Sequence, residues 1–522
     1  MAQVCDMTSS KDISKDQGEN VLHIRTQQIW LLLQLPNPQR RSYTRPPNAP
    51  KPVIDLKHIR QNPGLYEQNC IDRNYKHQAR NSWRILELHE QWQEQQRQGR
   101  SLREQNNHLR RQLADAASRS GDAEGGIKPT DTKDSLLEEA RVLKEKIGQI
   151  EGREASIQDE IESLALELPN LSSQHTPNGE EPEVIGYINE MPSSNHPPRS
   201  HVDIGAQLEL LDFASAATTS GWGYYFLLNE AALLEQALIQ YSLSMALARG
   251  WKVVSPPSTV YSHIAAACGF QPRDQHGEQQ VYAIEQAEKD KAKPALSLAG
   301  TAEIPLAGMK VNSVLEETNL PLKVIGASRC YRAEAGARGV DTKGLYRVHE
   351  FTKVEMFGWT MPPLSQSTAH GSFGDADTAK PPSTVLFEEM MEMQKDILSS
   401  LGLHCRILEM PSTDLGASAS RKIDIEAFFP SRLEHSGGWG EVTSASICTD
   451  YQSRRLGTRA RTARSGGKGG LEWPHTVNGT AIAVPRVLAA IMENGWDEPT
   501  QTLAIPTVLR PWMGGIERVK KG

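Results

Sequence analysis

The sequence of 522 residues lacks paired cysteines. Its six cysteines are scattered and include no Cys-x-x-Cys pair, standing at positions 5, 70, 268, 330, 405 and 448. This pattern predicts neither a disulfide framework nor a cysteine-rich zinc site. It is typical of a protein that works in a reducing compartment.

Long apolar runs and an excess of positive charge are also missing. No apolar run approaches the roughly 18 residues that a membrane-spanning helix needs. The chain has 57 Lys and Arg against 64 Asp and Glu, a formal net charge of -7. A protein with a net negative charge is not expected to bind nucleic acid over most of its own surface. Any contact with RNA must therefore use a local basic patch. We expect neither a membrane nor DNA among its partners.

The N-terminal residues 1–52 read as a disordered leader of changing composition. Residues 1–20 contain four acidic residues, whereas residues 21–47 contain none and carry four arginines and a short apolar segment, Ile29 to Leu35. An acid-poor, arginine-containing stretch is typical of a mitochondrial transit peptide. This favours the mitochondrial matrix over the cytoplasm, with an untargeted disordered extension as the alternative.

Residues 53–170 carry the periodicity of two long helices. From Ile85 to Leu113 apolar residues fall on one alternating three–four register that is interrupted at Gln95, Gly99 and Asn106. From Leu136 to Leu168 the same register is kept with one exception, Glu154. Such seams predict a coiled coil, and the breaker-rich stretch from Ser118 to Thr132 predicts that the helices fold back antiparallel. With about 35 residues each, the arm would project roughly 50 Å. Residues 171–200, rich in Pro, Asn and Ser, read as a linker.

The first helix of the arm is rich in arginine, with side chains at Arg97, Arg100, Arg103, Arg110 and Arg111. A charge run of this kind is most often a solvated helix face. Contact with RNA phosphates and a coiled-coil partner surface are the two functional alternatives.

The second domain, residues 201–522, is organised around the stretch from Arg329 to Trp359, which reads as two strands joined by a glycine-rich loop. Strand residues two apart share a face, so Arg332 and Glu334 should point into one cleft, as should Lys353 and Glu355. An arginine fork suits phosphate and carboxylate oxygens, and a carboxylate suits an amine or a hydroxyl. Taken alone, the pattern also fits a solvated hairpin.

Three motifs in this domain resemble a known family. RAEAG at 332–336, RGVDTKGLYRVHEFTKVE at 338–355 and NGTAIAVPR at 478–486 resemble motifs two and three of the class II aminoacyl-tRNA synthetases, specifically of seryl-tRNA synthetase. The resemblance extends from about Val53 to PTVLRPWMGG at 506–515. It implies an α+β fold: an N-terminal antiparallel two-helix coiled-coil arm, then a class II synthetase domain with a mainly antiparallel sheet flanked by helices.

The resemblance implies a site for L-serine and a site for ATP. The serine-binding residues would be Thr301, Glu303, Arg332, Glu355, Asn478 and Thr480. The ATP-binding residues would be Arg332, Glu334, Val348, Phe351, Glu441, Ser444 and Arg486. Arg332 and Arg486 would be the catalytic residues, stabilising the phosphate oxygens without a protein nucleophile.

Glu441 and Ser444 would also hold Mg²⁺, because a hard cation takes oxygen ligands. The surrounding stretch departs from the family at two positions, with Ala445 and Ile447 where other members usually have Cys and Asn. Residues 361–384 contain few core-forming residues and are predicted to be a surface insertion.

The implied function is that of a serine–tRNA ligase, which activates serine with ATP and transfers the seryl group to the 3′ end of tRNA(Ser). The arm would bind tRNA, and the helix from about Asn229 to Arg249 would lie in a homodimer interface. The alternative is a noncatalytic tRNA-binding or coiled-coil scaffold paralogue, but such a protein would be expected to lose Arg332, Glu355 or Arg486, and all three are present.

Overall fold

A computed structural model of the chain describes residues 49–119, 130–191, 198–270, 280–334, 344–363, 380–434, 436–462 and 469–521. Nearly all of the predicted leader and residues 364–379 of the predicted insertion lie outside the described residues. Residues from Pro50 onward belong to one compact unit.

Within the described residues the α-helices, numbered α1 to α12 in chain order, are Leu56–Gln61, Pro63–Asp72, Asn81–Arg119, Thr130–Leu166, His201–Gln207, Phe213–Ser220, Asn229–Ala248, Ser262–Ala267, Glu303–Gly308, Pro382–Ser400, Tyr451–Leu456 and Val484–Gly495. The strands, numbered β1 to β19, are Glu183–Ile188, Leu211–Asp212, Phe226–Leu227, Lys252–Val253, Thr259–Tyr261, Ala283–Ile284, Leu296–Leu298, Val314–Glu316, Leu322–Tyr331, Glu350–Thr360, Cys405–Glu409, Arg421–Phe428, Trp439–Thr449, Arg459–Arg461, Leu471–Glu472, His475–Ala483, Trp496–Asp497, Thr502–Ala504 and Arg518–Lys520.

The arm consists of α3 and α4, which are 39 and 37 residues long and pack antiparallel. Near the base Arg84 pairs with Glu160 at 3.1 Å, and farther out Arg103 pairs with Glu151 at 3.3 Å. The apolar seam is buried, as the periodicity predicts, at Ile85, Leu88, Leu109, Leu143, Ile150 and Ile161. The first helix ends at Arg119 and the second begins at Thr130, so the connection between them is shorter than the predicted turn from Ser118 to Thr132.

The base of the arm packs against the two short helices before it. Ile85 and Leu88 of α3 share one apolar cluster with Ile59 of α1, Cys70 of α2 and Ile161 of α4. This end of the hairpin therefore has its own core, whereas farther out the described helices contact each other through the apolar seam and through ion pairs such as Arg103–Glu151.

The second domain is built on an eight-stranded sheet with the order β1-β11-β12-β13-β16-β10-β9-β4. All neighbouring strands are antiparallel except β4 and β9. The predicted mainly antiparallel sheet flanked by helices is therefore confirmed. Edge strand β1 comes from the stretch 171–200 that the sequence suggested to be a linker.

Strand β10 is buried on both faces and separates two cores. Val354 and Met356 face the main core with helices α7, α10 and α12, whereas Phe357 and Trp359 face a smaller core with α8 and α9. Because side chains alternate along a strand, Lys353 and Glu355 lie on the same face of β10 as Phe357 and Trp359. Two ionisable side chains therefore continue the apolar row that these two residues form.

No helix among the described residues is both long enough and apolar enough to cross a membrane.

Candidate active site

A pocket lies where the ends of β10, β13 and β16 meet the first turn of α12 and the segment 345–348. Eight of the predicted site residues line it: Arg332, Glu334, Val348, Phe351, Glu441, Ser444, Thr480 and Arg486. All seven residues predicted to bind ATP are among them, and they come from four separate stretches of the chain. The predicted residues Thr301, Glu303, Glu355 and Asn478 lie outside this lining.

Arg332 and Glu334 follow strand β9, which ends at Tyr331, so they are not on the strand where the hairpin pattern placed them. Both line the pocket nevertheless. The backbone N–H of Arg332 donates to the carbonyl of His349 at 2.9 Å, and its guanidinium lies over the ring of Phe351 at 5.3 Å. The cation is therefore stacked on an aromatic face beside the cavity.

Glu334 stands in the left-handed backbone region, with a φ of 46°. Its carboxylate pairs with Arg347 at 3.1 Å and is largely buried. A non-glycine residue rarely takes this conformation unless its surroundings require it, and such positions often mark functional sites.

Arg486 lies in the first turn of α12 and faces Glu441 of β13. Its Nη1 is 3.0 Å from Oε2 of Glu441, and its Nε donates to the carbonyl of Tyr346 at 3.0 Å. Burial alone would raise the pKa of Glu441, but the cations Arg486, Lys422 and Arg332 hold that pKa at about 2. Glu441 is therefore an anion at neutral pH.

Three buried polar side chains meet at Glu355. Thr480, its direct partner on β16, donates from its hydroxyl to Oε2 of Glu355 at 3.0 Å. Lys353 Nζ is also 3.0 Å from that oxygen. Glu355 is 1% exposed and Thr480 4% exposed, so the three side chains form a buried polar cluster rather than a solvated patch, and Lys353 and Thr480 also line the cavity. Lys353 and Glu355 share a face of β10, as the alternation predicted. Glu355 and Thr480, which the resemblance placed together at the serine site, are in direct contact.

Glu303 begins α9 and is buried next to this group. Burial, and then the charge of Glu355, raise the pKa of Glu303 to about 8, while Lys353 and Arg332 oppose the rise. Gln452 Nε2 donates to Oε1 of Glu303 at 2.6 Å. The Glu303 N–H lies 3.4 Å from the hydroxyl of Thr301, the neighbour that the sequence grouped with it.

Asn478 lies two residues before Thr480 on β16, on the same face of the strand. Its Oδ1 accepts a hydrogen bond from Sγ of Cys448 at 3.3 Å.

The departures at Ala445 and Ile447 do not touch the pocket. Both side chains are buried in the main core, whereas Ser444 lies on the opposite face of β13 and lines the pocket. The oxygen donors Glu441 and Ser444 are therefore retained on the cavity side. Among the described residues no group of three or more His, Cys, Asp and Glu side chains could hold a metal ion.

Sequence reasoning missed several residues of the site. Tyr346 lies between two guanidinium groups, 4.1 Å from that of Arg432 and 4.8 Å from that of Arg486. Gln452 was missed because it reaches Glu303 across 149 positions of sequence. Lys353 was placed in the cleft only by the two-residue alternation that it shares with Glu355.

The arginines of the arm fall into two groups. Arg97 pairs with Glu94 at 3.0 Å, and Arg103 pairs with Glu151 and with Glu154 of the other helix. Arg100, Arg110 and Arg111 are exposed. The structure thus leaves three of the five predicted tRNA contacts most open to a ligand.

Comparison with known proteins agrees with this geometry. The family profile described as "tRNA synthetase class II core domain (G, H, P, S and T)" matches residues 282–495, and that of the "Seryl-tRNA synthetase N-terminal domain" matches residues 53–172. The mitochondrial serine–tRNA ligase of Saccharomyces cerevisiae is 40% identical over 77% of this chain and 84% of its own length. That of Schizosaccharomyces pombe is 34% identical over 88% of both chains.

Among solved structures, seryl-tRNA synthetase from Pyrococcus horikoshii complexed with ATP superposes with a TM-score of 0.75 at 30% identity. The alignment covers 90% of this chain and all of the other.

The sheet, the pocket and the core profile define a class II aminoacyl-tRNA synthetase. Within that class, the chain belongs to the seryl-tRNA synthetase family. The predicted family and fold class are confirmed, and the comparisons give no support to the noncatalytic paralogue.

Proposed function

We propose that this chain is the serine–tRNA ligase of the mitochondrial matrix and that the pocket residues divide between ATP and serine. The carboxylate of L-serine attacks the α-phosphorus of ATP, giving seryl-adenylate and pyrophosphate. A ribose hydroxyl at the 3′ end of tRNA(Ser) then attacks the seryl carbonyl and releases AMP. The convergence of Arg332 and Arg486 with the anionic Glu441 in one pocket carries this proposal.

In the ATP site, Arg332 neutralises the α-phosphate where it meets the serine carboxylate, and Arg486 neutralises the γ-phosphate. Neutralising charge that grows in the transition state is worth more in a water-poor pocket than in solution. Phe351 stacks on the adenine, Val348 packs against the nucleoside, and Glu334 accepts a hydrogen bond from the adenine amino group.

Glu441 and Ser444 are the residues that would hold Mg²⁺ against the ATP phosphates, and the ion would supply further charge neutralisation there. The donor set fits: both are oxygen ligands on the cavity side of β13, and Glu441 stays ionised.

In the serine site, Glu303 with Thr301 pairs with the substrate ammonium, while Glu355, Thr480 and Asn478 surround the hydroxyl. A buried pocket built to bond a hydroxyl rejects alanine, because its own polar groups would be left unpaired. The ammonium group of Lys353 neutralises one of the two negative charges of Glu303 and Glu355.

Residues 53–170 form the tRNA-binding arm and residues 201–522 the catalytic domain, joined through 171–200. Arg97, Arg100, Arg103, Arg110 and Arg111 contact phosphates, because RNA helices are recognised mostly by shape and backbone. The names of the yeast relatives and the acid-poor composition of residues 21–47 support the mitochondrial assignment. Import of a reporter fused to residues 1–52 would test it.

The chain acts as a homodimer through α7 and β4. Leu233 and Leu247 of α7 are 49% and 57% exposed, and Val253 of the edge strand β4 is 45% exposed. A homodimer interface would cover these exposed apolar side chains. Sedimentation of the chain and of Leu247→Glu would test the dimer, and a wild-type monomer would contradict it.

The activity is tested by serine-dependent exchange of labelled pyrophosphate into ATP. Threonine, alanine and cysteine, each supplied in place of serine, are the controls. Arg332→Ala serves as the blank. We expect exchange with serine alone and none in the blank. Folded protein without exchange would overturn the proposal.

A further inference from the structure

We propose that His201 is a positioning residue for ATP: through one hydrogen bond it fixes the segment 345–348 that lines the nucleotide pocket. The inference rests on the proposed function, since it assumes that the pocket takes ATP. His201 is the first residue of α5, is 7% exposed, and lies 144 positions before the residue that it contacts.

The hydrogen bonds around the imidazole determine where its proton sits. Nε2 is 3.0 Å from the backbone nitrogen of Leu345, and a backbone N–H can only donate, so Nε2 accepts. The proton is therefore on Nδ1, which donates to Oε1 of Glu493 at 2.8 Å. One tautomer satisfies both contacts, and the imidazolium cation does not, because it has no acceptor for the Leu345 N–H.

Glu493 holds the ring in this orientation. Its side chain is fully buried, and it also accepts hydrogen bonds from the backbone N–H of His201 at 3.1 Å and from the hydroxyl and backbone N–H of Ser431. The carboxylate is fixed by several donors, so the imidazole has little freedom to rotate.

The segment that His201 holds carries nucleotide contacts. Leu345 is fully buried, and the carbonyl of the next residue, Tyr346, accepts from Nε of Arg486 at 3.0 Å. Val348, two residues further on, lines the pocket. The backbone at Gly344 packs directly on the ring: its φ is 72°, and a Cβ there would lie 2.2 Å from Nε2 of His201.

Helix α12 thus holds this segment at two places. Arg486 and Glu493 are seven residues apart, about two turns, and therefore lie on the same side of the helix. Arg486 bonds the segment directly at Tyr346, and Glu493 bonds it through His201 at Leu345. Losing the second contact should leave serine recognition intact and loosen the nucleotide site.

Two substitutions separate the contacts. In His201→Gln the terminal amide oxygen reaches about as far as Nε2 and can still accept from Leu345. In His201→Asn the shorter amide can still donate to Glu493 but does not reach Leu345. His404→Asn is the matched control, because His404 is equally buried and bonds the carbonyl of Asn189, while its ring packs on Tyr187, Phe428 and Trp439 outside the pocket.

Pyrophosphate exchange at varied ATP and at varied serine is the measurement, with thermal unfolding recorded for each variant. We expect His201→Asn to raise the KM for ATP about tenfold, to leave the KM for serine within twofold, and to be rescued to within threefold by His201→Gln. Equal losses in both variants, or parallel losses for both substrates, would mean that His201 only supports the fold and would overturn the inference. Wild-type protein without exchange would instead contradict the proposed function.

Discussion

The hydroxyl of Thr480 donates to Oε2 of Glu355 across two antiparallel strands, with the two oxygens 3.0 Å apart. Lys353 approaches the same oxygen at the same distance. The directly opposed pairing of β10 and β16 sets this contact, and both residues are buried. A polar group placed by the register of a buried sheet has little freedom to adapt to a substrate of another shape.

Replacing Thr480 with valine should weaken selection for serine. Valine has the shape of threonine but no hydroxyl, so Glu355 loses a hydrogen bond inside a closed site. We expect kcat/KM for serine to fall about 10- to 100-fold in pyrophosphate exchange, which corresponds to about 1.4–2.7 kcal/mol. Thr480→Ser keeps the hydroxyl and should stay within about threefold of wild type. A valine variant as active as the serine variant would remove Thr480 from the serine site.

Replacing Arg486 with lysine should impair adenylate formation even though the charge is kept. The guanidinium bonds Glu441 and the Tyr346 carbonyl at once, which a lysine ammonium cannot do in the same geometry. We expect exchange to fall about 100-fold or more. Arg510→Lys is the matched control, since Arg510 pairs with Glu517 and does not line the pocket. Equal effects of the two substitutions would contradict the proposed role of Arg486.

The motif residues that line the pocket could be predicted because each motif is short and continuous in the sequence, so its resemblance to the family is visible without the fold. Arg332, Glu334, Val348 and Phe351 come from one hairpin, and Arg486 follows Thr480 by six residues. The arm was predictable for another reason: its seam repeats over two helices of nearly 40 residues, so single interruptions such as Gly99 do not hide the period.

Contacts that join distant parts of the chain could not be predicted in this way. Nothing near His201 in the sequence indicates that it meets Leu345, and nothing near Gln452 indicates that it meets Glu303. The strand β1 was read as linker because the residues around it are rich in Pro, Asn and Ser, although β1 itself pairs with β11 at the edge of the sheet. Such contacts depend on sheet order, which local composition does not report.

Serine binding should strengthen as the pH rises from about 6.5 to 8.5. Burial and the charge of Glu355 raise the pKa of Glu303 to about 8, so the substrate-free carboxyl is mostly protonated at pH 7. An ammonium ligand favours the carboxylate, so binding at pH 7 must release a proton, and less is released above pH 8.

Calorimetry of serine binding in two buffers with different ionisation enthalpies measures this proton release. We expect it at pH 7 and expect it to vanish in Glu303→Gln, which should also bind serine weakly at every pH. Release that persists unchanged in the glutamine variant would show that another group titrates.

Charge on the first helix of the arm should govern tRNA affinity without affecting serine activation. Arg100, Arg110 and Arg111 are exposed on α3. Their combined replacement by glutamine should raise the KM for tRNA about 10- to 100-fold and reduce the salt dependence of tRNA binding, because each lost phosphate contact removes roughly 0.7–0.9 from the slope of log K against log salt. The matched control replaces Arg141, Lys144 and Lys146 of α4, which are also exposed.

Shortening the arm gives a second, independent test of the same surface. The base of the hairpin shares an apolar cluster with α1 and α2, so a deletion must spare Ile85, Leu88 and Ile161. Replacing residues 93–155 with a short glycine–serine linker meets this condition and joins the helices where they lie side by side. Pyrophosphate exchange should remain within about twofold of wild type while tRNA charging is lost. If the shortened chain charged tRNA normally, the arm would have another role. Binding of a protein partner to the faces of the helices opposite the apolar seam would then become the hypothesis to test.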